Sequence, residues 1–162
     1  MEIRYLTPED DPLAVSNIYE SSWKYAYRGI VPQSYLDSIP AGLWTAALHR
    51  PHLRHLVALE DGVPIGTAGF GPSRWEAYPD YGEVVSLYLL PAYIGQGRGG
   101  LLLGRCVEEL KGQGFDKILL WVLEENHPAR RFYERNGFVW SGELRRDTVG
   151  GRELGEALYL LA

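Results

Sequence analysis

The chain reads as an α/β protein of the α+β kind, a mixed, mostly antiparallel sheet of about seven strands covered by about four helices. Three observations predict this. The turn pairs Asp61-Gly62 and Gly150-Gly151 sit between apolar runs and mark β-hairpins. Glu83 to Leu90, reading Glu-Val-Val-Ser-Leu-Tyr-Leu-Leu, is apolar on both faces for most of its length, as a central strand must be. Between it and a second apolar strand, Ile118 to Leu123, lies a helical pattern with Leu103, Val107 and Leu110 on one face, which is a crossover for parallel strands.

Each element has its own signal. Ile3 to Leu6 is a short first strand. Asp11-Pro12 supplies an N-cap followed by proline at the first helical position. Ala14, Ile18, Ser22 and Ala26 then recur every fourth residue, a stripe continued by Trp23 and Tyr27. A second short helix after Val31-Pro32 carries Tyr35, Leu36 and Ile39, and Leu43 to Leu48 is another apolar-rich segment. His55 to Glu60 and Val63 to Phe70 form the first hairpin. Pro91 stops the central strand, and Gly112 and Gly114 close the crossover helix. His127-Pro128 opens a last helix that Asn136-Gly137 ends, before a hairpin of Phe138 to Arg145 and Leu154 to Leu161.

The 162 residues are 46% hydrophobic and 23% charged, which suits one core, so residues 1–162 are expected to form a single domain. A net charge of -5 disfavours a nucleic-acid partner but says nothing against a local site for a small anion. The single cysteine, Cys106, excludes an internal disulfide framework and fits a reducing compartment. The opening Met1-Glu2-Ile3-Arg4-Tyr5-Leu6 lacks the basic-then-apolar pattern of a secretory signal, and no apolar stretch approaches a membrane span. A cytoplasmic protein without a membrane partner is expected.

The informative segment is Pro91-Ala92-Tyr93-Ile94-Gly95-Gln96-Gly97-Arg98-Gly99-Gly100, between a strand and a helix. Glycines there let the backbone approach a ligand and turn several N–H groups the same way, beside the positive end of a helix. That suits a phosphate or pyrophosphate, with Arg98 adding a charged contact. Gly95, Gly97 and Gly100 also spell a dinucleotide fingerprint, with Glu124 near the distance of an acidic ribose ligand. Pro91 to Ile94 separate the loop from its strand, however, and no series of βαβ units follows. A kinase-type P-loop fails because no Gly-Lys-Ser/Thr occurs.

Gly95-Gln96-Gly97-Arg98-Gly99-Gly100, after a strand ending Leu-Tyr-Leu-Leu-Pro, resembles the acyl-CoA pyrophosphate loop of the GNAT superfamily of N-acetyltransferases. Asn126-His127-Pro128-Ala129-Arg130-Arg131-Phe132-Tyr133, continuing to Asn136-Gly137-Phe138, is similar to that family's second signature. Trp23-Lys24-Tyr25-Ala26-Tyr27-Arg28-Gly29-Ile30-Val31-Pro32 is similar to the first helices of one bacterial subgroup. Ile94 stands where the family usually has glutamine or arginine; the loop binds mainly through backbone N–H groups, so the departure removes one side-chain contact.

The resemblance implies a sheet that splays at its centre, and acetyl-CoA as co-substrate with no metal. Acetyl would pass directly to a primary amine in a ternary complex, the acceptor being a small molecule, a peptide or a protein. It implies cofactor contacts from Leu89, whose N–H would meet the thioester carbonyl, and from Ile94, Gly95, Gln96, Gly97, Arg98, Gly99, Gly100, Asn126, Ala129 and Arg130. Asn126 reads equally as a helix cap. Glu83 is expected as general base, against the alternative of an ordinary solvent-facing carboxylate, with Glu76 and Asp80 as substitutes. Tyr133 is expected as general acid, against the alternative of a core aromatic pairing with Phe132 and Phe138. Tyr27, Arg28 and Tyr81 belong to the expected acceptor pocket, in regions that also hold Trp75, Tyr78 and Trp140. A homodimer through the last hairpin is an open expectation. A non-catalytic acyl-CoA-binding or sensor module is the alternative function. Cys106 is read as core rather than nucleophile. His49, His52 and His55 have a suggestive spacing, but Pro51 interrupts any helix that would align them on a metal.

Overall fold

A computed structural model describes all 162 residues. In chain order the elements are β1 (Glu2–Tyr5), α1 (Pro12–Ala26), α2 (Gln33–Ser38), β2 (Arg54–Glu60), β3 (Val63–Pro72), β4 (Gly82–Leu89), α3 (Arg98–Gly112), β5 (Ile118–Leu123), α4 (His127–Arg135), β6 (Val139–Val149) and β7 (Arg152–Leu161). The seven strands form one sheet in the order β1-β2-β3-β4-β5-β7-β6. Only β4 and β5 are parallel neighbours. No helix is long and apolar enough to cross a membrane.

Local chemistry sets the element boundaries. The Asp11 carboxylate accepts the Leu13 N–H and caps α1, with Pro12 inside the first turn. Asp61 and Gly62 both take positive φ, 50° and 78°, which is the geometry of the tight turn joining β2 to β3. Gly150 and Gly151 do the same between β6 and β7, so this hairpin is longer than its apolar pattern suggests, reaching Val149 and starting again at Arg152. Exposed polar residues occupy its tip, and periodicity weakens where neither face is buried. The apolar segment near Leu43 to Leu48 becomes a short 3-10 helix, Thr45–His49.

Two apolar layers flank the sheet. On one face α3 and α4 cover Phe70, Val84, Ile118, Leu120, Ala157 and Tyr159, closed by Leu102, Leu103, Cys106 and Leu110. On the other, α1 and α2 bring Val31, Leu36 and Ile39 onto Leu154, with Trp23, Tyr27 and Leu123 alongside. The single break lies at the centre. β4 and β5 pair only at Gly82–Ile118 and Glu83–Leu119, then diverge. A bulge on β4 accompanies the divergence, for Phe70 of β3 faces Val84 while Gly69 faces Ser86, leaving Val85 unopposed.

Candidate active site

The wedge between β4 and β5 has polar edges. The Leu90 N–H donates to the Ile65 carbonyl of β3 at 2.8 Å, so Leu89, opposite Gly66, is a non-hydrogen-bonded pair and its N–H faces the wedge instead. Helix α1 fixes this end of β4. Ser22 Oγ donates to the Leu89 carbonyl at 2.6 Å, and Trp23 Nε1 donates to the Tyr88 hydroxyl at 3.1 Å.

At the mouth of the wedge the chain turns through Gly95 and Gly97, both at positive φ (81° and 82°), into the first turn of α3. No backbone N–H from Gly95 to Gly100 is donated within the protein. Six consecutive free donors next to a helix N-terminus make a cradle for a polyanion. The glycines divide the work. A Cβ on Gly99 would come within 3.2 Å of the Phe132 ring, so Gly99 lets α3 approach α4, whereas a Cβ on Gly97 would meet nothing and its requirement is conformational. Arg98 is drawn aside to Glu60 at 3.1 Å and to Gln96, and lies over the Tyr93 ring; Gln96 Nε2 in turn donates to the Ala92 carbonyl. Ile94 is exposed and adds no polar group.

The expected contacts on α4 are partly structural. Asn126 is buried and its Oδ1 accepts the Ala129 N–H at 3.3 Å, the cap reading of this residue. Ala129 packs on the core. Arg130 donates to the Tyr159 hydroxyl and to the Glu124 carbonyl at 3.0 Å each, and so braces α4 against β7. Tyr133 stands edge-on between Phe132 and Phe138, and burial pushes its hydroxyl pKa far up, helped by Tyr88 and Cys106 nearby. Its aromatic-core reading thus describes its ring, while the hydroxyl stays protonated and is free to donate.

Glu83 is neither solvent-facing nor free. Its side chain is only 1% exposed. Oε1 accepts the Arg74 backbone N–H and Nε, both at 3.1 Å; Oε2 accepts Arg74 Nη2 at 2.7 Å and Trp75 Nε1 at 3.2 Å. Four donors fill a carboxylate's capacity. Neither Arg74 nor its pairing with Glu83 was legible in the sequence. Glu76 and Asp80 are exposed on the same loop.

Beyond Glu83, on the face covered by α1 and α2, lies an aromatic and charged group of which only Trp75 was expected from the sequence. Trp75 and Trp121 pack with ring centres 5.3 Å apart, and the Arg145 guanidinium lies 4.1 Å from the first ring centre and 5.0 Å from the second. Arg145 Nη2 donates to Glu156 Oε2 at 2.9 Å. Of the three expected acceptor residues, Tyr27 is half-buried near Tyr88 and Glu156, and desolvation pushes its hydroxyl up to about 12. Arg28 instead folds back on Tyr25, and Tyr81 packs edge-on against Tyr78, whose hydroxyl donates to Glu143. His55 is buried on β2, and no three His, Cys, Asp or Glu side chains cluster as a metal site would require.

The chain belongs to the acetyltransferase (GNAT) family, whose sequence profile matches residues 14–138. The uncharacterized N-acetyltransferase YuaI of Bacillus subtilis is 32% identical over 127 residues, covering 77% of this chain and 73% of that protein. A spermidine N(1)-acetyltransferase of Thermoplasma acidophilum is 26% identical over 147 residues, covering 85% and 88%. Among solved structures, the PaiA N-acetyltransferase of Thermoplasma acidophilum, in complex with coenzyme A, superposes with a TM-score of 0.75 at 24% identity, covering 99% and 97%.

Proposed function

We propose that this chain moves an acetyl group from acetyl-CoA to a primary amine by direct transfer, and that the divergence of β4 from β5 beside six free N–H groups carries the assignment. The cradle from Gly95 to Gly100 matches a pyrophosphate, and the unpaired strand edges match an amide-bearing arm that lies between them as a third strand. Acetyl-CoA supplies an activated carbonyl; the remaining tasks fall to the protein.

In this reading the Leu89 N–H, which faces the wedge, stabilises charge developing on the carbonyl oxygen. Tyr133, protonated throughout the physiological range, donates to the departing sulfur. The amine must arrive neutral, and with a reference pKa of 10.4 only ~0.04% of a free alkylamine is neutral at pH 7. A carboxylate on the acceptor side is therefore needed. Glu83, the base expected from the sequence, has all its lone pairs taken by Arg74 and Trp75. Tyr27, Trp75 and Trp121 give the acceptor aromatic walls, and with the nearby carboxylates they suit a small amine of cationic character. Likeness to a spermidine acetyltransferase agrees with that class. A covalent acyl-cysteine route has no support, since Cys106 is fully buried and its thiol is pushed up to about 12 by burial.

Two measurements test the reading. Acetyl-CoA at ~100 times its dissociation constant adds about 2.7 kcal/mol, raising the unfolding midpoint by roughly 5–10 °C, while NADH leaves it unchanged. Thiol release on adding a panel of primary amines then separates an enzyme from a sensor module. A midpoint that ignores acetyl-CoA refutes the site; tight binding without turnover of any amine refutes the enzyme.

A further inference from the structure

Resting on the amine-acetylation reading, we propose that Glu156 is the carboxylate that takes the proton from the acceptor ammonium. Glu83 is the first candidate by position but has no lone pair to spare while Arg74 and Trp75 hold it. Glu76 and Asp80 are exposed on the loop. Glu156 differs from all three.

Glu156 sits on β7 opposite Leu123, the last residue of β5, and so at the open end of the wedge. Its side chain is 13% exposed, and the one hydrogen bond donated to it comes from Arg145 to Oε2. Arg145 packs against both the Trp75 and Trp121 rings and holds Glu156 through Oε2, leaving Oε1 for a ligand. The groups facing Glu156 are Arg145 and Asp147 from β6 and Tyr27 from the end of α1; its β5 neighbour, Leu123, is apolar. Burial raises the carboxyl, the Arg145 bond opposes this, and Asp147 adds to the rise, so Glu156 binds a proton more readily than an ordinary carboxylate.

One ammonium proton passes to Glu156 Oε1, and the freed nitrogen lone pair bonds to the acetyl carbon. The carbon–sulfur bond breaks with its electron pair on sulfur, and a second nitrogen proton neutralises the thiolate by way of Tyr133. Glu156 returns its proton to solvent when the product leaves.

The experiment compares wild type, Glu156→Gln, Glu156→Asp and Glu83→Gln, with acetyl-CoA and spermidine or tyramine as acceptor, across pH. The acid limb of kcat/KM in wild type reports ionisation of Glu156. Glu156→Gln lowers kcat/KM about a hundredfold at neutral pH and abolishes that limb; Glu156→Asp restores part of it, and KM for acetyl-CoA holds in both. Glu83→Gln keeps the limb. A Glu156→Gln enzyme with the wild-type profile, or loss of the limb in Glu83→Gln alone, overturns the proposal. Carbon-13 NMR titration of the Glu156 carboxyl in wild type needs no turnover. Absence of turnover with either amine would count against the acetylation reading, whereas a Glu156 midpoint in the ordinary carboxylate range would overturn its role as base.

Discussion

At Gly97 the requirement for glycine is conformational and not steric, since a Cβ there meets no atom although φ is 82°. An L side chain in that conformation costs about 1–2 kcal/mol. Gly97→Ala is expected to weaken acetyl-CoA roughly tenfold in a calorimetric titration. Gly104→Ala, in the interior of α3 with open space around it, serves as control and leaves affinity unchanged while stabilising the helix by up to ~1 kcal/mol. The loop was legible in the sequence because its glycines act locally, through φ and the donors they expose. Glu83 was legible as a position but not as an environment. Its four donors come from Arg74 and Trp75, whose placement depends on how a loop folds over a strand, and no spacing rule encodes that.

Among the elements, the β3–β4 loop is tied to β4 by the Arg74–Glu83 pair, with Trp75 on Trp121 and Tyr78 on Glu143 as further contacts. Arg74→Ala strands a buried carboxylate, at a cost of about 3 kcal/mol, and is expected to lower the unfolding midpoint by roughly 6–12 °C in a thermal scan. The same variant frees Glu83 to accept a proton, so its pH–rate profile reports whether that residue can act. The order of elements was legible throughout. The Asp11 cap, the Asp61-Gly62 turn and the apolar runs of β4 and β5 each signal locally what the fold then adopts. Strand order was not, and with it went the grouping of Trp75, Trp121, Arg145 and Glu156. These residues come from a loop and three strands, and only the insertion of β5 between β4 and β7 brings them to one face.

For the whole molecule, acid stability has an identifiable source far from the wedge. Asp10 accepts two bonds from Arg4 and one from the Thr7 N–H, which hold its carboxyl well below the usual range. A depressed carboxylate stabilises the fold above its unfolded value of ~3.9, and this contribution is lost as pH falls below that. Asp10→Asn is therefore expected to unfold at lower temperature than wild type at pH 7, with the two midpoints converging below about pH 4. The central divergence matters at this scale as well. Two residue pairs alone join β1–β4 to β5–β7 along the sheet, so its hydrogen-bond ladder is nearly severed in the middle. Helices and side-chain packing must carry the connection, and the two halves are expected to exchange amide protons as separate units. A ligand arm laid along the wedge stitches them into one. Amide exchange at Leu89 should slow on adding acetyl-CoA, and the boundary between the two cooperative units should vanish with it, as expected of a co-substrate that completes the protein's own sheet.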